Sequence, residues 1–419
     1  MKSLYVFHNN QRVGIFFRDE NLISSFLYDE QWLQNPKSFP LSIAMPLSKE
    51  PFSNRITLSF FENLLPEGEV LDALEHDYNI QGPFEFLERF GKDCAGAITV
   101  TADSQFTYSP NATHIEKIDM DKIYEAISKK KSVAETISHM VPGYLSLAGA
   151  QDKFPAIVID GQVFLPTHGA PTTHIIKTPM LRYGIKESVY NELYCMELAR
   201  SIGLHVAQCE ILEGLYPLYI TERYDRYKDS EGIVQRLHQQ DFCQAQGVVS
   251  ETKYEFKGGP SIKDNYELLL KQVSATKRIQ ALQQYLSWIC FNLLIGNNDS
   301  HSKNLSLLLI DNKNELAPFY DLLCTSIYET LHKEFSFRIG DRSDFAKIGL
   351  NQFNRLEEEL GIKKGAFTQR MKDTRDLILT CKDQVLEQIM DKHPQAKIPK
   401  RICSMIGKRA KGLHQQGVI

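Results

Sequence analysis

Residues 3–17, SLYVFHNNQRVGIFF, alternate apolar and polar positions on both sides of an Asn-Asn pair, the pattern of two strands joined by a tight turn. The run FFENLLPEG at 60–68 predicts a short helix stopped by Pro66. Residues 103–115, DSQFTYSPNATHI, are polar and rich in turn formers, and predict a linker. A second hairpin is expected over 154–166, FPAIVID-GQ-VFLP, followed by a short strand in TTHIIKTP. ESVYNELYCMELARSIGL, 187–204, predicts a helix closed by Gly203, and AQCEIL and PLYITERYDR predict two more strands. After residue 260 the pattern is mostly helical.

This order predicts an α+β chain with two lobes and a cleft between them. An N-terminal β-rich subdomain covers 1–105, a smaller β-rich lobe 106–225 and a large helical lobe 226–419. No internal repeat or low-complexity tract interrupts it.

Composition narrows the class. The 419 residues carry a net charge of −4, with 42% hydrophobic, 10% aromatic and 24% charged residues, so the chain can bury large cores and does not read as disordered. A slightly acidic total argues against coating nucleic acid unaided. The longest apolar stretch, 285–296, is about half of the roughly 20 residues that a membrane span requires. The N-terminal residues lack a signal-peptide core, and the eight cysteines are dispersed without a Cys-x-x-Cys spacing. A cytoplasmic chain with reduced thiols and no membrane partner is expected.

Against that background IGNNDSHSKNLSLLL, 295–309, crowds polar chemistry between two apolar runs. Asp299 and Asn304 have the spacing of the aspartate and asparagine in the protein-kinase catalytic loop. There the aspartate faces an incoming hydroxyl, while the asparagine lends an oxygen to Mg²⁺, a hard cation held by one or two protein groups plus phosphate. A second oxygen ligand is available 22 residues after Asp299, as Asp321 in LAPFYDLL. LSLLLI and ELAPFY, joined by the turn DNKN, predict a hairpin whose ends return Asp321 to Asn304. His301 is a candidate for orienting the loop and Lys303 for neutralising transferred phosphate. Singly, each of these residues is an ordinary turn or cap former; together they point to phosphoryl transfer.

A nucleotide needs cations. Lys177 ends the strand HIIK beside Ile175 and Ile176, and Glu192 rides an apolar helix stripe of Val189, Cys195, Met196 and Ala199. A buried carboxylate there is costly unless paired, so a Lys177–Glu192 ion pair is expected. SLAGAQDK, 146–153, offers the small residues Ala148, Gly149 and Ala150 for backbone approach to phosphate, with Lys153 adding charge. Glu222 to Tyr224 stand where backbone groups would meet an adenine edge.

The motifs LSLAGAQDKF, PTTHIIK, NELYC, ERYDR, GNNDSHSKN and PFYD occur here in the order found in HipA-type serine/threonine kinases. NNQRVG, FFENLLPEG and GKDCAGAITV look like the extra N-terminal region of that family. The resemblance thus spans nearly the whole chain. It implies a two-lobed protein-kinase-like fold and an ATP- and Mg²⁺-dependent kinase, the toxin of a toxin–antitoxin pair causing growth arrest or persistence. It implies Asp299 as catalytic base, Asn304 and Asp321 as metal ligands, and Lys177 on the nucleotide phosphates. Ala148, Gly149, Ala150, Gln151, Asp152, Lys153, Glu222, Arg223, Tyr224, His301, Ser302, Lys303, Asn304, Tyr320 and Asp321 would contact ATP. Ser146 stands at the place of the family's autophosphorylated, inactivating serine. The implied partners are a HipB-type helix-turn-helix antitoxin, operator DNA mainly through it, and a protein substrate such as glutamyl-tRNA synthetase or another aminoacyl-tRNA synthetase. The six Lys/Arg and no acid of 397–411 read as a solvated helix face, with DNA backbone or antitoxin as the other possible contact. Two readings compete with the kinase: a small-molecule kinase of the aminoglycoside phosphotransferase type, and a non-catalytic co-repressor.

Overall fold

The computed structural model describes residues 2–110, 115–141, 143, 147–166 and 170–415. The chain forms two compact units. Met1–Thr178, Leu212–Glu251 and Leu307–Lys313 make the first, and Pro179–Ile211, Thr252–Ser306 and Asn314–Ile419 the second.

In the first unit the alternating N-terminal run is a hairpin. Lys2–His8 pairs antiparallel with Gln11–Arg18, and Asn9 turns the chain with φ of +52°. Ser24–Tyr28 and Thr99–Thr101 add on either side to give a four-stranded sheet. Gly14 has no room for a side chain: a Cβ there would lie 2.4 Å from the Leu27 carbonyl oxygen and 2.5 Å from the Phe26 ring. The helices Asn54–Phe61 and Gly82–Phe90 contribute to the core beneath that sheet, with Phe16 stacked on Phe61 at 4.1 Å and tilted against Phe84. Each fully buried ring contributes about 1.5–3 kcal/mol relative to exposure, which is what anchors this subdomain. The helix ends before Pro66, as its sequence predicts, after a single 3₁₀ turn at Glu62–Leu64.

A second sheet places Ile115–Lys117, Gln162–Pro166, Lys153–Ile159, His174–Lys177 and Leu218–Glu222 side by side, which realises the second hairpin and the short HIIK strand. A buried ionic network ties the GKDC segment to ERYDR. Asp93 accepts from Arg226 at 2.8 Å, from Arg223 at 3.2 Å and from the Thr172 hydroxyl at 2.5 Å, while Asp225 pairs with Arg223 at 2.9 Å and Arg226 at 3.0 Å. Burial alone would raise the Asp93 carboxyl; Arg226, Arg223 and Arg236 outweigh it and bring the pKa down to about 2.

The second unit is built on helices. Arg278–Ile295 runs through its middle, and from Trp288 onward every side chain is buried. It packs against Ile262–Gln272, Ala366–Lys392 and Ile398–Gln415. The helix Ser188–Ser201 forms where its sequence predicts and ends ahead of Gly203, whose φ is +86°. It is not amphipathic, however. Ser188, Asn191, Glu192 and Tyr194 are as buried as Val189 and Met196; the Ser188, Asn191 and Tyr194 side chains are bonded inside the unit, and Asn191, for example, holds the Cys324 backbone on both sides at 2.8 and 3.0 Å.

The basic tail is a helix, but not wholly a solvated face. Arg409 is half-buried, lies 3.7 Å over the Phe345 ring and donates to the Leu293 carbonyl at 2.8 Å, and burial lowers its pKa to about 10. Cys94, Cys195, Cys243, Cys290, Cys324 and Cys403 are buried free thiols. Among the described residues no helix is long and apolar enough to cross a membrane.

Candidate active site

The helix Arg278–Ile295 stops at Gly296, which caps it in the left-handed region with φ of +73° and donates to the Asn292 carbonyl. Glycine is required here twice over, since a Cβ would also sit 2.6 Å from Ser326 Oγ. The chain leaves the buried helix at this point and enters the polar segment 297–304.

That segment is held by its own asparagines. Asn297 Nδ2 bonds Asn292 Oδ1 at 2.8 Å, and its Oδ1 accepts the Asp299 N–H at 3.2 Å. Asn298 is clamped by the Thr325 hydroxyl at 2.7 Å, the His332 carbonyl at 3.0 Å and the Ser336 hydroxyl at 2.6 Å. Ser302, in the 3₁₀ turn Ser302–Asn304, is bonded by Asn265 Nδ2 at 2.9 Å. Asn304 Nδ2 donates to the Asp299 carbonyl at 3.1 Å, which turns its amide so that Oδ1 is the atom able to face a cation. The Asp299 side chain is exposed and takes a 2.5 Å hydrogen bond from the Tyr254 hydroxyl.

The predicted hairpin forms with altered bounds. Ser306–Ile310 turns at Asp311 and Asn312, with φ of +48° and +58°, directly into Lys313–Leu316. The expected second strand, ELAPFY, is correspondingly shortened: Pro318 has no N–H for a ladder, and Ala317 to Tyr320 leave the strand. The return still occurs. Ala317 N–H bonds the Ser306 carbonyl at 2.9 Å, and the Tyr320 hydroxyl bonds the Lys303 carbonyl at 2.8 Å and Ser306 Oγ at 2.9 Å. Asp321 follows with φ of +60°, and its carbonyl accepts from Asn297 Nδ2 at 3.5 Å. A left-handed aspartate is a costly conformation of the kind concentrated at functional sites. Asp299, His301, Ser302, Lys303, Asn304, Tyr320 and Asp321 are thus brought together inside the second unit.

Residues 148–153, Lys177 and residues 222–224 lie in the first unit. Gly149 has φ of +112°, and a Cβ on it would meet Lys153 Nζ at 2.7 Å, so the ammonium curls over a backbone left bare. Its carbonyl is held by the Glu67 N–H at 3.0 Å, which joins the FFENLLPEG and SLAGAQDK motifs. Gln151 bonds the Thr178 carbonyl at 2.9 Å. The Asp152 carboxylate accepts Val133 N–H at 2.6 Å and Ala134 N–H at 3.0 Å, at the start of the helix Val133–Met140; burial pushes its pKa up against these bonds. Lys153 and Lys177 are direct cross-strand partners, and Lys177, only 5% exposed, has its Nζ 5.4 Å from the centre of the Tyr219 ring. Glu192 is buried in the second unit. Glu222 is exposed, Arg223 is buried in the ionic network with its N–H on the Thr173 carbonyl at 2.9 Å, and Tyr224 is half-buried. Ser146 lies outside the described residues.

Sequence reasoning missed Tyr254, 45 positions before Asp299, and the supporting asparagines 191, 265, 297 and 298. Asn297 and Asn298 sit inside the GNNDSHSKN motif and had a signal in that crowding. Tyr254 had none.

Comparison with known proteins agrees with this architecture. Residues 145–382 match the HipA-like C-terminal domain and residues 4–101 the HipA N-terminal domain. Y4mE of Sinorhizobium fredii is 35% identical over 98% of this chain and 98% of its own length. The serine/threonine-protein kinase toxin HipA of Shewanella oneidensis is 31% identical over 80% of this chain and 78% of its own. A solved structure of the Shewanella oneidensis toxin–antitoxin complex of HipA, HipB and operator DNA superposes with a TM-score of 0.83 at 25% identity, covering 98% of this chain and 97% of that one. With family domains at both ends and relatives alike along their lengths, the chain belongs to the HipA family.

Proposed function

We propose that this protein is an ATP- and Mg²⁺-dependent serine/threonine kinase, the toxin of a toxin–antitoxin pair. The observation that carries this reading is the convergence within one unit of Asp299, Asn304 with its amide nitrogen turned to the Asp299 carbonyl, and the left-handed Asp321. Asn304 Oδ1 and the Asp321 carboxylate are hard oxygen donors of the type Mg²⁺ takes, and they fit a site completed by phosphate oxygens. When bound there, Mg²⁺ neutralises charge on the transferring phosphoryl group. Asp299 accepts the proton of the acceptor hydroxyl. Its main chain is held by Asn297 and Asn304, so positioning is paid in the fold rather than at the moment of reaction.

The first unit supplies cations for a nucleotide. Lys153 and Lys177 stand directly opposite each other on neighbouring strands, so both cations belong to one face of the sheet and can address one polyphosphate. Gly149, with Lys153 over it, suits close approach by phosphate oxygens. Because the Arg223 N–H is committed to Thr173, contacts to the base fall to Glu222 and Tyr224.

In the family setting the protein works in the cytoplasm with a HipB-type antitoxin and reaches operator DNA through it. Its substrate is a translation component such as glutamyl-tRNA synthetase or another aminoacyl-tRNA synthetase, and Ser146 is its inactivating autophosphorylation site. The test is an acceptor panel with radiolabelled Mg-ATP: purified aminoacyl-tRNA synthetases, myelin basic protein and an aminoglycoside. Label on serine or threonine of protein acceptors is expected. Label on the aminoglycoside alone would move the chain to the small-molecule kinases, and no label on any acceptor, with no ATP consumed, would leave only a co-repressor.

A further inference from the structure

We propose that Tyr254 is the positioning residue of the catalytic base, a role that rests on the reading of Asp299 as that base. Its phenol donates to Asp299 Oδ1 at 2.5 Å, the short distance of a charge-assisted O–H···O⁻ bond. Asp299 is an exposed side chain on a segment whose main chain is fixed by Asn297 and Asn304, and the phenol adds a hold on the carboxylate itself. A donor on Oδ1 sets the direction from which the carboxylate meets the acceptor proton.

The surroundings of Tyr254 are built to hold it. Its carbonyl accepts the N–H groups of Lys257 at 3.0 Å and Gly259 at 2.9 Å. Gly259 closes the turn so tightly that a Cβ there would come within 2.0 Å of the Thr252 carbonyl oxygen. The next residue, Glu255, accepts the Arg338 N–H at 2.8 Å. The ring itself stacks on Phe256 at 5.2 Å and meets His301 edge-on at 5.0 Å. A pinned backbone and a ring held on two sides favour a fixed strut over a gate that swings aside for each acceptor.

Removing the hydroxyl has a consequence that loss of packing would not produce. With its orientation no longer set, the base reaches its productive geometry less often, which lowers kcat while ATP binding is untouched. The experiment uses the full chain with radiolabelled Mg-ATP and myelin basic protein, comparing wild type, Tyr254→Phe and Asp299→Asn. Tyr254→Phe keeps the ring, and its thermal midpoint verifies folding. A fall in kcat of about tenfold or more, with KM for ATP unchanged, is expected. An unchanged or increased kcat, or a fall that comes with an equal rise in KM for ATP, overturns the positioning role while Asp299→Asn remains inactive. Transfer that survives Asp299→Asn instead removes Asp299 as the base, and the premise with it.

Discussion

Gly296→Ala isolates the hinge on which the site depends. The new Cβ would lie 2.6 Å from Ser326 Oγ and 2.8 Å from Ser326 Cβ, on a residue whose φ is +73°. The left-handed conformation costs about 1–2 kcal/mol for a residue with a Cβ. Ser326 cannot yield without disturbing its own bonds to the Gly296 carbonyl at 2.8 Å and to Asn298 at 3.2 Å, a further loss of about 1–2 kcal/mol. Reduced freedom of the unfolded chain returns about 0.4–1 kcal/mol. The net expectation is about 1–3.5 kcal/mol, read as a lowered urea midpoint at unchanged slope. Because Asn298 is displaced along with Ser326, phosphoryl transfer should fall more steeply than stability; a misplacement of about 1 Å costs roughly a hundredfold. Ser326→Gly in the same chain removes both clashing atoms and should recover the steric part while leaving the conformational part. A Gly296→Ala protein with wild-type midpoint and rate would refute this account of how the loop is launched.

Two further perturbations test the first unit. His238 is buried and bonded to the Leu41 carbonyl at 2.8 Å; burial, opposed by that bond and aided by His8, lowers its pKa to about 4. The folded state then binds fewer protons than the unfolded one between about pH 6.5 and 4, so stability falls as pH drops through that window, by on the order of 2–3 kcal/mol between pH 7 and 4.5. In urea titrations His238→Gln should lose correspondingly less over the same interval, and an identical loss in both proteins would contradict the assignment. Asp93→Ala leaves Arg223, Arg226 and Arg236 with Asp225 as the network's remaining carboxylate, and is expected to cost about 3–5 kcal/mol. A loss below about 1 kcal/mol would mean that the network does not hold GKDC to ERYDR.

Local pattern was a good guide wherever one face of an element is buried. The N-terminal hairpin, the Lys153–Ile159 and Gln162–Pro166 pair, and the helix closing at Gly203 follow from alternation and turn residues alone. It misled where burial is complete. The helix Ser188–Ser201 is buried on every side from Ser188 to Met196, so polar residues there such as Asn191 mark bonds made to distant segments rather than a solvent face. Arg409 is the same lesson in reverse, a charge held half-buried by an aromatic ring and a carbonyl. At the site, the Asp299–Asn304 spacing and the returning hairpin were legible because they are close in sequence. The Tyr254 contact and the Asp93 network join residues 45 and 130 or more positions apart, and one sequence carries no signal for such pairs.

The central claim is that Asp299 receives the proton of the acceptor hydroxyl at a site built on Asn304 and Asp321. Single-turnover transfer from radiolabelled Mg-ATP by Asp299→Asn, measured beside its ATP affinity, addresses it directly. The rate should fall by at least about a thousandfold, corresponding to roughly 4 kcal/mol of transition-state stabilisation, while nucleotide affinity stays near wild type. Transfer at the wild-type rate with affinity intact would contradict the account.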